Sequence, residues 1–305
     1  MEHIEEAGIH SGDSAMVLPP HTLSDELIDE IRRIASALAK ELHIVGLMNV
    51  QLAVRDDRVY VLEVNPRASR TVPFIAKAIG VPLAKLAAQV MVGKTLDELG
   101  FVEEVQMKHV AVKESVFPFV RFPGIDILLG PEMRSTGEVM GIDTEFGAAF
   151  IKAQLGAGQQ LPSTGTIFIS VKNKDKRTII LVAQRLHTLG FTIIATQGTA
   201  KALRQQGIPV EPVFKIHEGR PNISDAIKNG QVQWVINTPS GRRPRADEIT
   251  IRSLATAYSI PCVTTLQGAQ ACVQGMEIWL QRRFIAQPIQ VYHQQLARPH
   301  TLVKT

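Results

Sequence analysis

Hydrophobic and polar positions alternate most clearly between Gly46 and Arg70. Met48, Val50, Leu52 and Val54 form one apolar row, and Tyr60, Leu62 and Val64 form a second after a polar break. Period-two alternation predicts two strands. Both rows carry even numbers. If both face one core, opposed residues have an even sum, which excludes the two-residue turn Asp56-Asp57 and favours the three-residue loop Asp56-Asp57-Arg58. That register pairs Gln51 with Glu63. Upstream, the polar stretch to Pro20 reads as strand end and loop. Ser24 then caps a helix whose apolar residues Leu27, Ile31, Ile34, Leu38 and Leu42 recur at the helical period, with Asp25 and Glu26 in the first turn. Downstream, Pro82 stands near a helix start, Leu83, Leu86, Ala87, Val90 and Met91 supply its apolar face, and Gly93 ends it.

Val110 to Val120 is rich in strand formers, and Phe146 to Gln154 reads as a short helix. Residues 156–165 have a linker's composition, which divides the chain into 1–157 and 158–305. Beyond the linker, short strands and helices alternate: Thr166 to Val171, a helix ending at Gly190, Phe191 to Thr196, a helix to Gln206, Val210 to Phe214, Ile223 to Asn229, Val232 to Asn237, Glu248 to Tyr258 and Pro261 to Thr264. This alternation predicts a doubly wound parallel sheet able to fold by itself, with ligands at the strands' carboxyl ends near Ser170, Thr196, Thr199 and Asn237. From Ile285 the chain reads as a partly ordered tail.

The chemistry concentrates in the hairpin. Its polar face presents Asn49, Gln51, Glu63 and Asn65, oxygen acceptors suited to a hard cation such as magnesium, which completes its shell with water and substrate phosphate. Pro66 then stops the ladder, and Arg67 and Arg70 offer two cationic forks for a phosphoryl group or carboxylate. The same spacing also fits a hairpin with a solvated polar face. His10 alone reads as a surface histidine; Glu114, among apolar neighbours, reads either as a buried acid that needs a partner or as an edge-strand carboxylate facing water.

Gln51, the run Glu63-Val64-Asn65-Pro66-Arg67 and Thr71-Val72-Pro73-Phe74 resemble the second ATP-grasp unit of the carbamoyl-phosphate synthetase large subunit. Gly8 to Ser14 and Pro131 to Gly141 are similar to other signatures of that subunit, so the likeness covers nearly the whole chain, matched to its carboxyl-terminal part. The resemblance implies an α/β and α+β protein: a partial ATP-grasp lobe with an antiparallel sheet, then a methylglyoxal-synthase-like effector domain with a doubly wound parallel sheet. It implies phosphorylation of carbamate by ATP with Mg2+ or Mn2+, in arginine and pyrimidine biosynthesis. ATP would meet Gly8, Ile9, His10, Ser11, Gln51 and Glu63; the metal would meet Gln51, Glu63 and Asn65; Arg67 and Arg70 would serve catalysis.

For the effectors, the resemblance implies an ornithine site at Glu5, Asp13, Glu114 and Thr264. It implies a nucleotide monophosphate site at Ser170, Lys176, Thr196, Thr199, Lys215 and Asn237. The expected partners are the amino-terminal remainder of the large subunit, without which the chain would be inactive, and a glutaminase small subunit. One departure concerns Asn237-Thr238-Pro239-Ser240-Gly241, where proline removes a hydroxyl and an amide donor from the family's pattern. Arg242, Arg243 and Arg245 could reach a phosphate or belong to a solvated loop. A stand-alone effector-binding module without catalysis is the alternative. A methylglyoxal-synthase-type lyase fails on Glu218-Gly219-Arg220-Pro221-Asn222, which lacks that enzyme's catalytic aspartate.

Composition adds mainly exclusions. With 33 basic against 29 acidic residues, three Tyr and two Trp, no aromatic-studded basic stripe suggests nucleic acid. No apolar run approaches the roughly 20 residues of a membrane span. Cys262 and Cys272 lack zinc-site spacing, and the acidic amino terminus is unlike a signal peptide, so the expected compartment is the cytosol.

Overall fold

A computed structural model describes residues 1–122, 124–239, 246–282 and 284–296. The first unit holds β1 (Glu2–His3), β2 (Met16–Leu18), α1 (Asp25–Glu41), β3 (Asn49–Arg55), β4 (Arg58–Asn65), α2 (Thr71–Ile79), α3 (Leu83–Met91), β5 (Val110–Val116), β6 (Gly137–Asp143) and α4 (Phe146–Gly156). The second holds β7 (Thr166–Ser170), α5 (Lys176–Thr188), β8 (Thr192–Thr196), α6 (Gln197–Arg204), β9 (Glu211–Val213), α7 (Ile223–Lys228), β10 (Trp234–Asn237), α8 (Ala246–Ala257), β11 (Cys262–Val263), α9 (Leu266–Gln281) and α10 (Ile289–Gln294).

An antiparallel sheet runs in the order β1-β2-β5-β6. Strand alternation sends Ala111, Lys113 and Ser115 of β5 to one face, where Ala111 meets Phe74 and Ala78 of α2, and turns Val112 and Glu114 toward the second unit. The second sheet, β11-β10-β7-β8-β9, is parallel throughout. Ile167 and Ile169 of β7 pack toward α5, α6 and α9, whereas Phe168 packs toward α7 and α8. Helices thus cover both faces, as doubly wound sheets require.

Ser24 caps α1 as expected, its side chain accepting the Leu27 N–H at 3.4 Å, but no residue of α1 is buried. The hairpin β3–β4 pairs Gln51 with Glu63 as expected, yet its turn does not match. Arg55 pairs with Arg58 across the two-residue turn Asp56-Asp57, both with positive φ (50° and 55°), the backbone of a tight hairpin. A bulge reconciles the two facts: Leu62 is the extra residue, and beyond it Leu52 faces Val61 and Val54 faces Val59. The even-number rule assumed an unbroken ladder. Tyr60 and Leu62 are exposed (48% and 51%) rather than part of an apolar row.

One element was not predicted, and one further expectation changes. Residues 266–281 form a long helix, α9, whose Ala269, Ala271, Cys272, Val273, Gly275 and Met276 are buried. The stretch after Ile285 is no simple tail: α10 docks on the first unit, with Tyr292 Oη donating to the Ile142 carbonyl at 3.2 Å and His293 Nε2 lying 2.6 Å from the Lys77 carbonyl oxygen. Helix α9 crosses α4 at glycines. A Cβ on Gly275 would stand 2.4 Å from Ile151 Cγ1, and one on Gly147 would stand 2.8 Å from the Gln274 carbonyl oxygen. One apolar cluster accordingly runs from Val17, Val112, Phe150 and Ile151 through Val273 and Met276 to Ile167 and Ile169. Among the described residues, no single helix is long and apolar enough to cross a membrane.

Candidate functional site

Three regions hold the expected site residues. On the hairpin, cross-strand pairing aligns Asn49 with Asn65 and Gln51 with Glu63 on one face. Asn65 Nδ2 donates to Glu63 Oε1 at 2.8 Å, Arg67 Nη2 donates to Asn65 Oδ1 at 3.2 Å, and Asn49 reaches Ser69, whose hydroxyl bonds Thr71 at 2.7 Å. Among the described residues, no group of three or more His, Cys, Asp or Glu could hold a metal. One carboxylate flanked by amide oxygens suits a magnesium ion that takes most of its shell from water and phosphate, so the donor set fits the implied metal as a shared ligand set only.

The segment Gly8 to Ser14 lies against the antiparallel sheet. His10 Nδ1 accepts the Gly12 N–H at 3.0 Å, and the His10 N–H donates to the Gly130 carbonyl at 2.8 Å, so His10 has local partners that its sequence context did not reveal. Beneath it, the Gly12 carbonyl accepts from Ser115 at 2.8 Å, Ser135 at 3.1 Å and Lys113 Nζ at 3.4 Å. Lys113 is fully buried, and burial lowers its pKa against the opposing pull of Glu138, Glu114 and Asp13. Arg70 Nη1 lies 2.6 Å from Met133 Sδ, the same sulfur that packs on Gly12. Arg70 therefore borders the loop that carries His10.

The second region is a cleft of about 430 Å³ between the two units. It gathers Glu5, Asp13, Glu114 and Thr264, the whole expected ornithine set. Thr265, which sequence reasoning missed, donates its hydroxyl to Glu5 Oε2 at 3.0 Å while capping α9 through the Gly268 N–H. Asp13 has a structural engagement as well: its two oxygens accept the Arg134 and Ser135 N–H groups at 2.7 and 2.9 Å, which gives the Arg134-Ser135 stretch a physical role. Glu114 is half-buried on the cleft wall, and its strand β5 lies inside the sheet rather than at an edge. The Glu114 Oε2 is buried and, among the described residues, has no hydrogen-bond partner, and burial, then the neighbouring Glu5 charge, push its carboxyl up to about 8. Burial likewise raises Glu5, and pushes the Cys262 thiol up to about 12.

The third region is a cavity of about 690 Å³ at the carboxyl ends of β7, β8 and β10. Ser170, Lys176, Thr196, Thr199 and Lys215 line it, joined by Lys172, Lys174 and Thr238, which were not among the expected site residues. Ser170 and Thr196 hydroxyls lie 3.3 Å apart, and Thr199 Oγ1 accepts the Val171 N–H at 3.4 Å. The close approach of Lys176 Nζ to Gly198, 3.0 Å from where a Cβ would stand, puts a cation beside the start of α6, whose free N–H groups favour an anion. Asn237 departs from the expectation. It does not line the cavity: its Nδ2 donates to the Ser170 carbonyl at 3.2 Å and its Oδ1 accepts from Arg252 at 2.8 Å, both below the floor. Ser240, Gly241 and the basic Arg242, Arg243 and Arg245 lie outside the described residues.

Comparison with known proteins agrees with this geometry. Residues 1–99 match the model of the carbamoyl-phosphate synthase L chain, ATP binding domain, and residues 178–264 match the MGS-like domain. The chain is 56% identical over 296 residues to the carbamoyl phosphate synthase large chain of Archaeoglobus fulgidus, covering 97% of this chain and 28% of that protein. The chain belongs to the carbamoyl phosphate synthase large chain family, matching its carboxyl-terminal part. The Synechocystis large chain is 57% identical over 277 residues, 90% of this chain and 26% of that one. The arginine-specific chloroplastic large chain of Oryza sativa subsp. japonica is 57% identical over 279 residues, 91% and 24% respectively. The chain thus spans about a quarter of the length of the curated relatives it matches.

Proposed function

We propose that this chain supplies half of an ATP-grasp site that phosphorylates carbamate to carbamoyl phosphate with MgATP, together with the unit that regulates it. The observation that carries this reading is the hairpin face, where Gln51, Glu63 and Asn65 converge and Arg67 and Arg70 follow within one turn of chain. Magnesium, when bound, neutralises the charge on the phosphates. Glu63 and the amides orient that charge, Arg67 and Arg70 hold carbamate or the transferring group, and the segment Gly8 to Ser11 lies along the nucleotide.

The other half comes from the amino-terminal remainder of the large chain. In support, α1 buries none of its residues, and Val45, Val54, Val61, Leu62, Met91 and Val92 of the same unit are exposed large apolar side chains. Ammonia for the whole enzyme comes from a glutaminase small subunit. The two cavities of the regulatory part take ornithine, at Glu5, Glu114 and Thr264, and a nucleotide monophosphate such as uridylate or inosinate, at Lys176 and Lys215. Two or three carboxylates suit an amino-acid ammonium, and lysines with a helix start suit a phosphate.

The test is carbamoyl-phosphate synthesis from MgATP, bicarbonate and ammonia, by the chain alone and after adding the amino-terminal remainder. No turnover alone and robust turnover on complementation is the expected result. Turnover by the chain alone would refute the half-site. Effector binding with no turnover in either case would leave a regulatory module without catalysis.

A further inference from the structure

Helix α8 lines both cavities. Asp247, Glu248 and Ile251 face the nucleotide-sized one, while Thr256, with Ser259 and Ile260 just past the helix end, faces the cleft between the units. Arg252 stands between these two groups and is fully buried. Its Nε and Nη2 donate to the two oxygens of Asp126, each at 2.6 Å, and its Nη1 donates to Asn237 Oδ1 at 2.8 Å.

Each partner leads to one cavity. Asn237 Nδ2 donates to the Ser170 carbonyl at 3.2 Å, the Thr238 N–H donates to the same carbonyl at 3.1 Å, and Thr238 Oγ1 accepts the Lys172 N–H at 3.1 Å. Ser170, Lys172 and Thr238 all line the nucleotide-sized cavity. On the other side Asp126 Oδ1 accepts the Leu128 N–H at 3.1 Å, and its carbonyl accepts Arg134 Nη1 at 2.8 Å. The neighbours Ile127 and Leu129 line the cleft, and the Arg134 N–H binds Asp13, which lines it too.

A guanidinium with no exposed surface keeps its partners or stands unpaired in a dry interior, and its rigid fork fixes their relative position. We propose that Arg252 is the positioning residue that couples the two cavities: a ligand that shifts Ser170, Thr238 or α8 moves Asp126 and the wall of the cleft through this fork. The inference rests on the reading of both cavities as effector sites and adds the route between them. Coupling of this kind is reciprocal, so each ligand changes the other's affinity by one factor.

The experiment uses the whole chain with Asp126→Asn, which keeps size and removes the charge, and Arg252→Lys, which keeps the charge and removes the fork. Amide hydrogen exchange without ligand reads the link directly. Both variants should speed exchange at Lys172 and Thr238, on the far side of the arginine, by about tenfold or more, an opening that local loosening near Asp126 would not produce. Unchanged exchange at Lys172 and Thr238 in both variants overturns the proposal. Calorimetry with uridylate and L-ornithine is the second arm. Wild type should show a coupling factor of roughly 5-fold or more that falls close to unity in D126N. Coupling retained in D126N overturns the proposal. If wild type binds neither probe, the effector reading is lost and the exchange result still decides whether Arg252 joins the two walls.

Discussion

Removing the charge of Glu114 should change how the chain's stability depends on pH. The carboxyl shares the cleft lining with Glu5, its Oε2 is buried and unpartnered among the described residues, and its pKa is raised from 4.5 to about 8, by burial first and by Glu5 second, against the pull of Lys113. Folded, it binds more protons than it does unfolded. Its contribution is therefore full below about 4.5 and is lost as pH rises through about 8, the reverse of the usual salt-bridged carboxylate. At about 1.4 kcal/mol per unit the rise sets an upper limit of about 5 kcal/mol. Glu5, itself raised, shares the proton economy of the cleft, so about 2 kcal/mol is the effect expected from Glu114 alone. Urea unfolding of wild type and Glu114→Gln at half-unit steps from pH 5 to pH 9 measures it. The wild-type curve should fall relative to the variant across that range by roughly 2 kcal/mol or more. Affinity for ornithine, whose ammonium needs ionised carboxylates, should rise over the same range. Parallel stability curves would show that Glu114 is as well solvated folded as unfolded.

Gly275→Ala gains about 1 kcal/mol of helix propensity but drives a methyl into Ile151 and the Gly147 carbonyl, at 2.4 and 2.9 Å, so a net loss of about 2 kcal/mol in urea unfolding is expected; equal stability would mean that the helices separate freely. Glu63→Gln in the complemented enzyme should lower kcat by about 100-fold or more without changing the melting temperature, because Glu63 is exposed and contributes no core contact; near-normal turnover at low magnesium returns the hairpin to a solvated face. Lys215→Ala should erase the rise in melting temperature that uridylate or inosinate gives and leave the unliganded value unchanged; a persisting shift would move the phosphate elsewhere in the cavity.

Local signals were legible where one short stretch carries them. Ser24 with Asp25 and Glu26 marks the start of α1, and the alternation of Val50, Leu52 and Val54 marks β3 and its polar reverse face. The turn was not legible, because the bulged Leu62 shifts the register by one and no residue type announces a bulge. Helix α9 was missed for a related reason. Its buried side is made mostly of Ala, Cys and Gly beside Val273 and Met276, and Gly268 and Gly275 look like breakers until α4 is seen packing directly on the second of them. Thr265, next to the expected Thr264, was invisible because its partner Glu5 is 260 residues away. Arg252 and Asn237 belong to the same class: only the fold reveals that they hold each other beneath a cavity floor.

The glycine crossing of α4 and α9 separates covalent continuity from solvent exclusion. Residues 157–165 are the obvious place to cut, yet Val112, Ile151, Val273 and Ile169 on either side of that cut share one dry interior. A protease that nicks this stretch should yield two peptides on a denaturing gel and a single particle on a sizing column. The piece beginning near Gly158, made by itself, would carry the small-residue side of α9 uncovered and would come off that column as an associated species. The peptide link between the two units is thus the least of their connections.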